Sequence, residues 1–203
     1  MYLFNTKTKV FEHFNSSANK GLKLHYDNVS RCFQDKKGNL WIVYSMNGLY
    51  VVPALYAAQL TEEKNTKVIV PVNANEMISN DSKLNSYITN FYEDSKGRLW
   101  IGSWGALYLV STNTDFQFAR TTQDLIKNSN TKCVYFDEYK EMVDFPIYPL
   151  ISMVEIRNNN FWLGTFGGGI IELIENSPNN FTGHVSELNK DLPQMNIKCL
   201  IKD

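Results

Sequence analysis

At 203 residues with 43% hydrophobic and 13% aromatic side chains, the chain can bury one substantial core or two small ones. Twenty basic residues against 21 acidic ones leave a formal charge of −1, and no Lys or Arg run exceeds two, which excludes the electrostatic footprint of a nucleic-acid binder. No stretch reaches the ~18 apolar residues of a membrane span, and residues 1–15 have no basic start leading into an apolar core, so neither a helical anchor nor a signal peptide is expected in this segment.

The stretch Asp94-Ser95-Lys96-Gly97-Arg98-Leu99-Trp100-Ile101-Gly102 returns as Asp35-Lys36-Lys37-Gly38-Asn39-Leu40-Trp41-Ile42. One residue shorter, it returns again as Arg157-Asn158-Asn159-Asn160-Phe161-Trp162-Leu163-Gly164. A polar turn with Gly or Asn where φ > 0 is needed, set between two apolar runs, reads as a β-hairpin. Val29, Ile88, Ile151 and Ile197 open the strands before the turns, at intervals of 59, 63 and 46 residues. These bracket the ~40–50-residue period of four-stranded propeller blades, and helical solenoids are excluded because the repeating part is strand and turn. The expected fold is all-β: an open β-propeller segment of four-stranded antiparallel blades, about three complete and with partial blades at both ends.

In chain order, residues 1–27 lie over the outer part of the second repeat and predict two outer strands of an incomplete blade, near 2–5 and 9–14. Blade one covers 28–86, with strands near 29–34, 39–44, 48–52 and 67–72 and a short helix in the Ala-rich stretch 54–63. Blade two covers 87–150, with strands near 88–93, 98–103, 106–111 and 116–120 and an insertion at 121–149. Blade three covers 151–196, with strands near 151–156, 160–165, 169–174 and 181–187, and residues 197–203 read as the inner strand of a next blade.

An inner strand ending in Asp, then G-x-L-W-I-G, a small-residue loop and G-L-Y, resembles the two-component regulator propeller repeat. Asn28 to Tyr50, Tyr87 to Tyr108, Ile151 to Ile171 and Leu192 to Asp203 all read as copies, with Arg157-Asn158-Asn159-Asn160 replacing the Asp-x-x-Gly turn in one and Val43 replacing Gly in another. The resemblance implies a sensor: a periplasmic, non-catalytic propeller segment of a hybrid two-component regulator of Bacteroides-type bacteria, responding to oligosaccharides, with membrane helix, histidine kinase and response regulator elsewhere. The partners implied are an oligosaccharide ligand, other blades or domains of the parent chain, and a homodimer formed through the parent. No cofactor, metal, nucleic acid or membrane contact is expected of this segment. A protein-interaction scaffold and an accessory propeller of a carbohydrate-active enzyme stay open as alternatives.

Trp41, Trp100 and Trp162 recur at one phase and read as structural positions between blades, and Gly38 and Gly97 as the φ > 0 residues of the turns. The loops Ser45-Met46-Asn47, Ser103-Trp104-Gly105 and Thr165-Phe166-Gly167-Gly168 each set one large side chain among small ones. Met46, Asn47, Trp104 and Phe166 are therefore candidate ligand contacts, with capping of neighbouring blades the competing reading. His13, His25 and His184 have no metal-ligand spacing. The acidic group Asp137, Glu138, Glu141 and Asp144 lacks a calcium-loop pattern and reads as a solvated face. Cys32, Cys133 and Cys199 fall in unrelated phases, so no disulfide framework is indicated.

Overall fold

A buried carboxylate closes the turn of each of the first two repeats. In the computed structural model, which describes residues 1–6, 9–61, 67–78, 87–104, 106–135 and 149–202, Asp35 accepts from the Asn39 N–H (2.8 Å), Asn39 Nδ2 (2.9 Å) and Trp41 Nε1 (2.9 Å). Asp94 accepts from the Lys96 and Arg98 N–H groups (3.0 and 2.9 Å), Arg98 Nε (2.7 Å) and Trp100 Nε1 (2.9 Å). Gly38 and Gly97 turn the chain at φ +89° and +71°, as expected, and Asn159 does so at +70° in the third repeat. Trp41 and Trp100 are fully buried, whereas Trp162 is only half-buried.

The chain divides into two compact units, Met1–Ser86 with Thr112–Asn130, and Tyr87–Ser111 with Thr131–Asp203. In the N-terminal unit, β1 (Tyr2–Asn5) and β2 (Val10–His13) pair alone, and β3 (Gly21–Leu22) pairs in parallel with β7 (Val68–Ile69). Four strands form its main antiparallel sheet in the order β4-β5-β6-β8: β4 (Val29–Gln34), β5 (Leu40–Tyr44), β6 (Gly48–Val52) and β8 (Val72–Asn73). One face of that sheet, with Ile42, Tyr44, Tyr50 and Val52, buries against Phe14, Leu22, Leu24, Ala57 and Ile69. On the other face, Trp41 stacks with Phe116 at 5.9 Å between centroids.

The C-terminal unit holds two four-stranded antiparallel sheets. The first contains β9 (Ile88–Glu93), β10 (Leu99–Ser103), β11 (Ala106–Thr112) and β12 (Ser129–Tyr135), and the second β13 (Leu150–Arg157), β14 (Asn160–Thr165), β15 (Ile170–Ser177) and β16 (Asn180–Val185). Period-two alternation gives each sheet one apolar face. Trp100, Leu107 and Leu109 of the first meet Phe161, Leu163, Ile171, Leu173 and Phe181 of the second, each such side chain adding about 1.5–3 kcal/mol by burial. Within this cluster the Trp100 ring lies 5.2 Å from Phe161 and 5.1 Å from Phe181. The chain is thus all-β, built of four-stranded antiparallel propeller-type sheets.

Several elements depart from the expected pattern. The strand expected at 67–72 is split: Val68–Ile69 pairs with Gly21–Leu22, Pro71 interrupts, and Val72–Asn73 becomes the fourth strand, because proline has no N–H for the ladder. The strand expected at 116–120 is a 3-10 turn, Thr114–Phe118, whose N–H groups the Asn113 side chain caps. A helix over Thr122–Lys127 follows, started by a capping box between Thr121 and Asp124, so the fourth strand of that sheet is β12, inside the expected insertion. The helix expected within 54–63 covers Ala54–Gln59, and a further short helix, Asn75–Ile78, was not foreseen.

In all three hairpins the register slips at the same place, at Ser30, Thr89 and Ile151, so Val29 faces Tyr44, Ile88 faces Ser103 and Leu150 faces Thr165. The third inner strand therefore begins at Leu150 rather than Ile151, and a second bulge before Arg157 absorbs the shorter turn. Residues 197–202, expected as an inner strand, form none. Their alternation suits a strand, but a strand needs a neighbour, and their ladder contact ends with the Ile197 N–H to Thr165 O bond at 2.8 Å.

An ion network ties the two sheets of the C-terminal unit. Glu175 of β15 receives Arg98 through both terminal nitrogens (2.6 and 2.9 Å) and Lys96 Nζ at 2.7 Å, while the Ser95 N–H and hydroxyl both donate to Glu155 of β13 at 2.8 Å. Burial pushes the Glu175 carboxyl up, but the bonds from Arg98, Lys96 and the Asn179 N–H outweigh it and hold the group at about 2, below its ordinary 4.5. A group held low in the folded state stabilises above pH 4.5 and loses that contribution as pH falls toward 2. Glu175→Gln is expected to cost about 3 kcal/mol at pH 7 and to flatten the loss of stability between those pH values. Urea melts of both proteins across that range check it.

Candidate functional site

The three loops that follow the second strand of each hairpin are placed by the same backbone bond. Ser45 N–H donates to Asn28 O (2.9 Å), Trp104 N–H to Tyr87 O (3.2 Å) and Phe166 N–H to Pro149 O (3.0 Å). The position equivalent to Trp104 and Phe166 is therefore Ser45. Met46 stands one residue further on, in the left-handed region at φ +64°. Trp104 and Phe166 each stand four residues on from their tryptophan, as Ser45 does from Trp41.

Met46 is 74% exposed, Trp104 56% and Phe166 55%, so these side chains are not taken up in core packing among the described residues. Trp104 and Phe166 share the C-terminal unit and flank one residue: Trp104 forms an antiparallel bridge with Pro149, whose carbonyl receives the Phe166 N–H. Tyr87, itself 45% exposed, stacks on Trp104 with centroids 5.4 Å apart and planes 25° apart. Phe166 is bridged on its other side to Asn196, and Met195 O accepts from the Gly167 and Gly169 N–H groups at 3.2 and 2.8 Å. Tyr87, Trp104, Pro149 and Phe166 thus line an exposed ledge of aromatic faces and open backbone. Such a surface stacks flat, partly apolar rings.

Sequence reasoning missed Tyr87 and Pro149 as members of the ledge, and it missed the two asparagines that hold the loops. Asn189 accepts the Ile170 N–H at 2.8 Å and donates to Ile170 O at 3.0 Å and Gly168 O at 3.4 Å. Asn75 does the same in the N-terminal unit, accepting the Leu49 N–H at 2.7 Å and donating to Asn47 O at 3.4 Å. Both asparagines approach where only glycine fits: a Cβ on Gly169, at φ +71°, would lie 2.5–2.7 Å from the Asn189 amide. The available signal was an Asn preceding each next repeat. The corresponding part of the second repeat, with Asp137, Glu138, Glu141 and Asp144, lies outside the described residues, as does Gly105.

The remaining candidates make the following contacts. Trp41 and Trp100 are held by Asp35 and Asp94. Trp162 shares their register but has no turn carboxylate. Asn47 donates to Tyr44 O and Ser45 O within its own loop. His25 bonds Pro71 O at 2.8 Å, His13 stacks on Tyr2, and His184 lies 3.6 Å from Glu172. Burial pushes the Tyr44 hydroxyl up to about 12, against the opposing bond from the His25 N–H. All three cysteines are free, and among the described residues no group of three or more His, Cys, Asp or Glu could hold a metal. The N-terminal unit contains cavities of 330, 520, 430 and 470 Å³, none lined by Met46 or Asn47.

Residues 82–105 match the model of the two component regulator propeller family. Similar solved structures include the extracellular domain of BT4673 from B. thetaiotaomicron, at 14% identity and TM-score 0.46 over 100% of this chain and 28% of that one. The extracellular domain assigned to the hybrid two component system BT3049 of the same organism is similar at 21% identity and TM-score 0.46, over 81% and 18%. YCF48 from Cyanidioschyzon merolae is similar at 12% identity and TM-score 0.45, over 78% and 41%. The chain spans less than half the length of each. No curated protein matches it.

Asn189→Ala is expected to leave the Ile170 N–H unpaired and to cost about 1–3 kcal/mol. Hydrogen exchange should locate the loss at Ile170, and unchanged protection there would rule out the clamp.

Proposed function

We propose that the chain is a non-catalytic, ligand-sensing propeller segment of a hybrid two-component regulator, working in the periplasm, and that it contacts oligosaccharide through the Trp104 ledge. The observation that carries the reading is the exposed Tyr87–Trp104 stack beside Phe166, three rings placed by backbone hydrogen bonds yet absent from the core. A pyranose has an apolar C–H face that lies on such a ring, while its hydroxyls reach the carbonyls and amides of the loop edge. The two-component regulator propeller repeat supports the regulatory role. No helix among the described residues is long and apolar enough to cross a membrane, which agrees with a sensing segment outside the lipid. Sensing would work by population shift: ligand bound across Trp104 and Phe166 favours one arrangement of the loops and of whatever packs on them.

The two most strongly shifted titratable groups among the described residues, Glu175 and Tyr44, are engaged in structural bonds, which favours binding over catalysis. Titration with a panel of neutral and acidic oligosaccharides, followed by tryptophan fluorescence and thermal shift, tests the reading. Trp104→Ala is expected to weaken binding about tenfold or more, while stability stays within about 0.5 kcal/mol because the ring is exposed. Met46→Ala should leave the affinity unchanged. No response to any oligosaccharide, or equal affinity in Trp104→Ala, would sink the proposal.

A further inference from the structure

Two cavities of the N-terminal unit meet at one arginine. The cavities of 430 and 470 Å³ share Val70, Val72 and Arg120 in their walls, and both have the size of small-molecule sites. The first is lined mainly by apolar side chains, Val52, Leu55, Val68, Ile69, Val70 and Val72. Three of these, Leu55, Val68 and Val70, are 40%, 45% and 47% exposed. The second is polar, with His25, Asn73, Thr121 and Gln123 beside Tyr50. Lys67 and Arg120 bring positive charge to these walls, and among the described residues no carboxylate lines either cavity.

Arg120 is fixed through both its backbone and its side chain. The Arg120 and Thr121 N–H groups donate to Asp124 Oδ2, each at 3.0 Å, and Thr122 Oγ1 donates to Asn73 O at 3.0 Å, tying this loop to β8. Arg120 Nε donates to the Tyr56 hydroxyl at 2.7 Å, and the guanidinium carbon lies 5.6 Å from the centroid of that ring. The Tyr56 hydroxyl in turn donates to Phe118 O at 3.4 Å. Among the described residues the two terminal nitrogens of Arg120 have no hydrogen-bond or ion-pair partner, and the Asp124 carboxylate is engaged in the capping box. A planar guanidinium matches a planar carboxylate through two parallel N–H bonds. Held by Tyr56, this one loses little freedom on making them.

We propose that Arg120 and the 430 Å³ cavity beside it form a binding site for a small monocarboxylate with an apolar body. The carboxylate takes the Arg120 fork, one oxygen to each terminal nitrogen, and the body lies along Leu55, Val68 and Val70, removing from water side chains that are now exposed to it. A sugar is the wrong body for this wall, because its hydroxyls would leave water for valine and leucine side chains that cannot bond them. The ligand is therefore of a different class from the one assigned to the Trp104 ledge. The two sites lie in different units of the chain, and neither assignment rests on the other.

An NMR titration of the protein with phenylbutyrate, its neutral amide phenylbutyramide and inorganic phosphate, read at assigned backbone amides, tests the site. Phenylbutyrate should shift the amides of Val68, Val70 and Arg120 saturably, with the amide analogue and phosphate each binding at least about tenfold more weakly. Arg120→Gln should weaken phenylbutyrate by a similar factor, and Arg120→Lys should not restore it, because an ammonium cannot present two parallel donors. Tyr56→Phe keeps the ring but frees the guanidinium, and should weaken binding less than Arg120→Gln does. Unchanged thermal melts of the variants show that the fold is intact. Absence of saturable shifts, equal affinity for the amide or for phosphate, or full affinity in Arg120→Gln would overturn the proposal. So would shifts centred on the Trp104 indole, which would place the probe on the ledge instead.

Discussion

The structure depends on a carboxylate buried in a tight turn. Asp94 cannot be stable out of water unless its oxygens are filled, and the turn does this with two backbone N–H groups, the Arg98 guanidinium and the Trp100 indole. The last two bonds have consequences at a distance. The indole bond fixes Trp100 at the centre of the inter-sheet core. The guanidinium, lying 5.6 Å over the Trp100 ring, is left pointing at Glu175 of the next sheet, so one turn aligns both an apolar and an ionic contact. Asp35 repeats the arrangement without the cation, because Asn39 stands where Arg98 does.

The same economy explains why the ledge can display rings to solvent. Its loops are set by backbone bonds to the residue that leads each inner strand and by asparagine clamps, neither of which uses the large side chain. Folding is therefore indifferent to the residue at Trp104 and Phe166, and such positions are free to be set by a partner. Burial would favour hiding these rings, so their exposure is not explained by the fold. Two of the three tryptophans of the repeat show the opposite logic: Trp41 and Trp100 are enclosed, while Trp162, with no turn carboxylate to hold it, is half-buried.

Departures from the repeat occur where local chemistry competes with the ladder. Pro71 removes a donor and divides a strand, and the side chains of Asn113 and Thr121 offer backbone N–H groups a nearer partner than a neighbouring strand. Each changes the fourth, outermost strand of its sheet. Beyond the shared bulge, the second and third strands of each sheet hold their register because they are the buried ones, and a one-residue slip would move every side chain to the other face.

The sequence by itself determined the hairpins, the turn glycines, the tryptophan phase and the all-β class, because these rest on period-two alternation and turn chemistry within about ten neighbouring residues. Tertiary structure alone decided that Glu155 and Glu175 receive the turn at Ser95, Lys96 and Arg98, and that Tyr87 and Pro149 join Trp104 and Phe166 in one ledge. It also decided that Ser45 rather than Met46 is their counterpart and that Asn75 and Asn189 hold the loops. These relations join residues distant in sequence through bulges and cross-sheet packing, and a carboxylate or an asparagine in a strand pattern carries no mark of what it will face. Side-chain periodicity reports which face a residue takes; only the packed sheets determine what lies opposite.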